Sequence, residues 1–364
     1  MPATAIFGRS PAPMSTLSLH GDPARFPTGL QELGEGVWAW TQPNGGLGES
    51  NAGLVRGEGQ SLLVDTLWDL RLTGTMLARM ADATAKAPIR RVVNTHGDGD
   101  HCWGNQLLAG AELIGTEACA RDVAAEDPRG VRVLGKAAGV VGRVAEHAPP
   151  GLPGVEQGVG LGAFASLLAP FDFEGVEATP PTHTFQGSLE LDVGGRAVHV
   201  IEVGPAHTPG DAIVHVPDAR VVFAADVMFV GVCPIMWSGS VERWQAALTR
   251  ITELDPVHVV PGHGPVSDLE GVAAMAAYWD FVTPAVRGRL ASGRSPEEAA
   301  REVIASPEYA EQPFAGWDGP ERLIVSADAI ARNDGGEVGR PGDVARLGLL
   351  AAMGKLAVER AGAG

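Results

Sequence analysis

The sequence predicts an α/β fold with a helical C-terminal extension, on three observations. Short apolar strands come first along the chain, helix and strand then alternate, and helical spacing dominates from about residue 266 onwards. With 364 residues, 45% of them hydrophobic, the chain can bury a large core without disulfides.

Residues 1–30 are rich in Pro, Ser and Ala without periodicity and are expected to form a loose leader. "GVWAWTQ", "SNAGLVRG" and "QSLLVDTL" then read as strands divided by Gly-containing turns, "LTGTMLARMADATA" as a helix, and "IRRVVNT" as the next strand. "GNQLLAGAELIGTEACARDVA" reads as helix, strand, helix. From about 128 to 181 Pro and Gly accumulate, which predicts an irregular insert, either a lid or a mobile segment. Strands resume with "SLELDVGG", "AVHVIEVG", "DAIVHVPD" and "VVFAAD", followed by the helical "SVERWQAALTRITEL" and the strand "VHVVPGHG". These elements define a catalytic domain over 31–270 and a helical extension over 271–364 packed on it. In that extension "SPEEAAREVIAS" carries an N-terminal capping pattern.

Lys and Arg total 27 against 44 Asp and Glu, a formal net charge of -17. Such a surface repels phosphate backbones and anionic headgroups, so neither nucleic acid nor a membrane is an expected partner. Cys102, Cys119 and Cys233 form no CxxC pair and no even framework, which suits free thiols. No secretory signal pattern and no apolar run of about 18 residues is present, and the expected location is the cytoplasm. The oligomeric state leaves no trace in the sequence.

Chemistry concentrates in "NTHGDGDHCWGN", behind the apolar pair Val92–Val93. In an extended segment His96, Asp98 and Asp100 share one face, and a turn at Gly99–Asp100 brings His101 beside them. Four titratable groups so close would cost several kcal/mol in desolvation and carboxylate repulsion unless a cation or solvent compensates them. The alternative is a solvated polar turn, where Asp and Gly are common. Three later stretches favour the metal: "GPAHTPGD" with His207, "VVFAAD" with Asp226 and "VVPGHGPV" with His263 each put a ligand-type residue at the end of an apolar strand.

This pattern, an HxHxDH-like motif followed by His, Asp and His on later strand ends, resembles the metallo-β-lactamase-fold superfamily over roughly residues 36–265. The resemblance implies a four-layer αββα sandwich with a metal site at one edge, between the sheets. It implies His96, the residue at 98 and His207 as ligands of one metal, Asp100, His101 and His263 as ligands of a second, and Asp226 as the bridge. Asp65 matches a position that supports the site from behind. Two divalent ions follow, with zinc expected. The family's second histidine is Asp98 here, and that hard anionic donor admits iron or manganese.

The implied chemistry is attack by metal-activated hydroxide on an ester, thioester, lactone or amide, with Asp100 orienting the nucleophile or accepting its proton. Met228, Phe229 and Trp237, in "DVMFVGVCPIMWSG", are candidates for the wall of a substrate pocket and point to an apolar small-molecule or carrier-bound substrate. "ATPPT", "GPAHTPGD" and "PIMW" are similar to superfamily members of aromatic polyketide pathways, cyclases or thioesterases. Two further readings stand beside hydrolysis. One is a di-iron oxidoreductase in which Asp98 is the distinguishing carboxylate, and the other is a metal-dependent cyclase without net hydrolysis.

Overall fold

The computed structural model describes residues 17–148, 154–337 and 339–363. A seven-stranded sheet runs in chain order through β1 (Gly29–Gly34), β2 (Val37–Thr41), β3 (Ala52–Arg56), β4 (Ser61–Val64), β5 (Ile89–Val93), β6 (Glu112–Thr116) and β7 (His183–Phe185). Neighbours from β1 to β4 are antiparallel, whereas β4, β5, β6 and β7 pair in parallel. Parallel pairing needs crossovers, and helices supply them: α1 (Leu70–Arg79) between β4 and β5, then α2 (Glu117–Ala125), α3 (Pro128–Glu146) and α4 (Val155–Leu168) between β6 and β7. The second sheet holds β8 (Ser188–Val193), β9 (Arg196–Glu202), β10 (Ala212–Val216), β11 (Val221–Phe229) and β12 (His258–His263) in the order β12-β11-β10-β9-β8. Its one parallel pair, β11 with β12, is joined through α5 (Val241–Glu253).

Strand alternation builds the layers. In β5, Val93 joins Val37, Leu62, Val198, Val214 and Phe223 between the two sheets, while its neighbour Val92 faces outward onto Met76 of α1 and Val123 of α2. In β11, Val221 and Phe223 face inward, and Val222 and Ala224 face Trp244 of α5 and Met275 and Trp279 of α6 (Leu269–Ala291). The result is helix, sheet, sheet, helix, the four-layer α/β architecture the sequence predicts. The helical C-terminal part continues with α7 (Pro296–Ile304), α8 (Leu323–Asp334) and α9 (Asp343–Ala363). Ser295 caps α7 reciprocally with Glu298, the arrangement its sequence suggests. Among the described residues no helix is long and apolar enough to cross a membrane.

Two expectations change. The stretch 128–181 is not irregular, because α3 and α4 occupy most of it as a helical pair; residues 149–153 lie outside the described residues. Its glycines read as helix breakers in sequence, yet they serve close packing. A Cβ on Gly142 would stand 2.3 Å from the Cα of Gly162, so only hydrogen fits where the two helices cross. The leader also differs. Residues 1–16 lie outside the described residues, but from Leu17 onward the chain is tied down: Leu17 bridges Pro23, the Glu49 carboxylate accepts from the Leu19 N–H at 2.7 Å, and Arg25 pairs with Asp318.

Candidate metal centre

Strands β5, β11 and β12 and the loop after β9 bring their polar residues to one edge of the sandwich. His96 lies three residues past the end of β5, Asp98 precedes the single helical turn Gly99–Cys102 that carries Asp100 and His101, His207 lies in the loop between β9 and β10, Asp226 sits within β11, and His263 ends β12. All seven sequence-predicted ligand positions therefore converge. The imidazole Nε2 atoms of His101, His207, His263 and His96 lie 3.1, 3.3, 3.6 and 3.9 Å from the carboxylate of Asp226. Asp98 Oδ2 is 3.0 Å from His207 Nε2, and Asp100 Oδ2 is 3.4 Å from His263 Nε2. Two groups have ligand atoms mutually within 4.8 Å: His96, His207 and Asp226, and Asp100, His101 and His263.

The chain fixes these positions from behind. Gly262 lets β12 pass against Asp226, since a Cβ there would stand 1.8 Å from Asp226 Oδ1. Asn51 donates its side-chain amide to the carbonyls of Pro261 and Gly264, 2.9 and 2.8 Å away, and pins the strand end that carries His263. Asp211 accepts from the N–H groups of Ala206 and Thr208 and holds the His207 loop. Phe229 stacks on the His263 ring at 5.3 Å.

Asp65 stands behind the cluster, as the resemblance implied. It accepts from the Thr95 N–H at 2.8 Å and the Thr95 hydroxyl at 2.7 Å, and it faces His101 Nδ1 at 3.0 Å. Because the Thr95 hydroxyl spends its proton on Asp65, its oxygen accepts from His96 Nδ1, 3.0 Å away. His207 Nδ1 donates to the Ile235 carbonyl at 2.6 Å. Outer partners thus hold three Nδ1–H groups and turn the Nε2 atoms inward. Replacing Asp65 with Asn should weaken zinc binding about 10- to 100-fold, read by competition against a chelator. Unchanged affinity would show that His101 needs no anionic support.

Electrostatics test whether a cation fits. His96 Nε2, His101 Nε2 and Asp226 Oδ1 are buried without a hydrogen-bond partner, although they face one another. Burial raises the Asp226 carboxyl, but His263, His101 and His207 outweigh it and hold it well below the usual carboxylate range. Burial likewise lowers His207, yet Asp226 and the hydrogen bond to Asp98 push it up to about 9, and Asp226 and Asp100 raise His101. His96, dominated by burial and by His101 beside it, falls to about 3. The acids therefore demand positive charge at the centre, and a divalent ion meets that demand while displacing protons from the imidazoles. The residues fit a metal.

Not every expected residue reaches the centre. Met228 and Trp237 are buried away from it, Met228 under α5 and α6 and Trp237 beside Val325 and Met353, whereas Phe229, also buried, borders the centre through the His263 and His207 rings. The β11 end is covered on its outer face by helices, and an apolar run in sequence does not distinguish a covered wall from an open one. Conversely, Arg340 was not foreseen. It arrives from the segment between α8 and α9 and pairs with Asp98, with Asp122 at 3.9 Å and Glu126 at 3.8 Å.

Glu126 has its own pH signature. Burial, helped by Asp98, pushes its carboxyl from 4.5 up to about 7, against the pull of Arg340. An acid raised on folding contributes stability that is complete below about 4.5 and is lost as pH rises through about 7. Glu126→Gln should therefore gain stability relative to the parent, of order 2–3 kcal/mol, between about pH 5 and pH 8. Urea denaturation at both pH values measures it, and a difference that does not vary with pH would refute the assignment.

The metallo-beta-lactamase superfamily model matches residues 45–263. The chain is similar to a hydroxyacylglutathione hydrolase of Ruegeria pomeroyi, 26% identical over 156 residues that are 40% of this chain and 61% of that protein. It is also similar to a linear primary-alkylsulfatase of a Pseudomonas species, 32% identical over 113 residues, 29% of this chain and 21% of that protein. The matches span less than two thirds of either relative. Among solved structures, a metallo-beta-lactamase from Pontibacter korlensis aligns over 70% of this chain and 100% of its own, with 17% identity and a TM-score of 0.49.

Proposed function

The chain belongs to the metallo-beta-lactamase superfamily, and from that premise we propose that it is a zinc-dependent hydrolase of an acyl compound, an ester, thioester, lactone or amide, with a largely apolar body. The observation that carries this reading is the convergence of four histidines and Asp98, Asp100 and Asp226 on one point, with buried Nε2 and carboxylate atoms left without partners. His96, His207 and Asp226, with the remaining oxygen of Asp98, would hold one ion, and Asp100, His101 and His263 a second, with Asp226 shared. The preponderance of imidazole donors favours zinc. When bound, such ions supply Lewis acidity that polarises an acyl oxygen and makes water a competent nucleophile near neutral pH.

The chain's own residues do the rest. Asp100 has its carboxyl held below the usual range, because His101 and His263 outweigh its burial, so it is an anion at neutral pH and can accept a proton from the attacking water. Asp226 keeps the four imidazoles oriented.

For the apolar body of the substrate we read the groove of about 550 Å³ along α3 and α4, lined by Leu168, Phe171 and Phe173 together with Arg132, Lys136 and Arg143, although none of the metal-centre residues lines it. Phe173 packs edge-on to Trp103, two residues beyond His101, at 5.2 Å. Such a groove suits a chain-like acyl group carrying an anionic end, and a carrier-bound polyketide is one member of that class. Cyclisation without net hydrolysis is the other outcome available to the same polarised acyl group. The di-iron alternative takes Asp98 as its distinguishing carboxylate; Arg340 engages one oxygen of that group and so lowers its donor strength.

The test is hydrolysis of a panel of chromogenic esters, thioesters and lactones of graded chain length by protein stripped of metal and then supplied with zinc or iron. Restored turnover with zinc, rising with chain length, is expected. Turnover that needs iron and consumes oxygen would overturn the reading.

A further inference from the structure

We propose that Arg340 makes the two ion positions unequal: by claiming Asp98 it weakens the position at His96, His207 and Asp226, and leaves the one at Asp100, His101 and His263 as the tighter. The inference rests on the two-ion reading of the centre.

Arg340 is not a stray surface side chain. The segment that carries it is held by Arg332, which donates to the Gly339 carbonyl at 2.5 Å and to the Trp237 carbonyl at 2.8 Å. Its side chain is only 14% exposed, and its guanidinium is gathered in by three carboxylates, Asp98 in direct contact and Asp122 and Glu126 within 4 Å. With those neighbours it is not offered to a substrate anion.

Its effect falls on one position. Asp98 Oδ1 is occupied by Arg340 and Oδ2 faces His207 Nε2 at 3.0 Å, so this carboxylate has one oxygen left for an ion, and a hydrogen-bonded guanidinium draws off its donor strength. Asp100, the corresponding acid of the other position, has among the described residues only imidazoles as ion-pair partners, His263 at 3.4 Å and His101 at 4.0 Å. Among the described residues no Lys or Arg pairs with Asp100, His101 or His263. A fixed cation beside one divalent ion and absent from the other separates their affinities.

Calorimetric titration of the metal-stripped full-length protein with zinc tests this. The parent should take up two ions in resolved steps differing at least about 10-fold in affinity. Arg340→Met should tighten the weaker step at least about 10-fold and leave the tighter one within about 3-fold, while Arg340→Lys, which keeps the charge, should stay close to the parent. Circular dichroism establishes that each variant is folded, and the parent's own two steps carry the test if Arg340→Met is not. Two equal steps in the parent, or an unchanged weaker step in a folded Arg340→Met, would overturn the proposal while leaving the two-ion reading intact. A parent that binds no zinc would overturn both.

Discussion

Asp226→Asn should abolish both the metal content and the hydrolytic activity, with turnover falling by roughly 1000-fold or more. Among the described residues no other carboxylate lies within 4 Å of all four histidines: that of Asp226 lies between 3.1 and 3.9 Å from each of their Nε2 atoms. The amide keeps the volume but removes the charge that offsets two cations, and it turns one acceptor into a donor pointing at imidazole. Zinc measured by mass spectrometry on the purified variant should drop below one tenth of an equivalent. A variant that kept its zinc would show that Asp226 is not the shared anchor of the site.

Asp100→Asn should behave differently, and the contrast is informative. At saturating zinc the amide oxygen can occupy the place of the carboxylate oxygen facing His263, so the ion content should remain, while turnover falls about 100-fold because the proton acceptor is gone. The pH profile should change with it. The parent keeps an ionised Asp100 down through the acidic range, because His101 and His263 hold its carboxyl below its ordinary value of 3.8, and the variant has no such group. Metal content and turnover are measured on one preparation, and undiminished turnover would remove Asp100 from the chemistry.

Much of this centre is legible in the sequence because its ligands obey local rules. The apolar pair Val92–Val93 runs into the crowded motif from His96 to His101, and the apolar run of β12 ends on His263; Asp226 departs from the expected strand end, because β11 continues past it to Phe229. The two-sided strands were readable for the same reason: Val92 and Val93 must face different layers. Arg340 was not readable, because nothing local links it to Asp98 across 242 positions; only the return of the chain between α8 and α9 brings them together. The helical pair at 128–168 was hidden by its glycines, whose role as contact points at Gly142 and Gly162 depends on a neighbouring helix that composition does not reveal. Met228 and Trp237 show the limit of reading an apolar run, since hydrophobicity reports burial and leaves open whether a ligand or a helix does the burying.

The central claim is that these seven residues hold divalent ions, and anomalous X-ray diffraction from zinc-treated crystals at the zinc absorption edge tests it most directly. The account predicts a strong peak about 2.0–2.3 Å from the side chains of Asp100, His101, His263 and Asp226, with a weaker one at the same distance from His96 and His207. Zinc-treated crystals without a peak within bonding distance of these side chains, or with the zinc bound elsewhere on the chain, would contradict it.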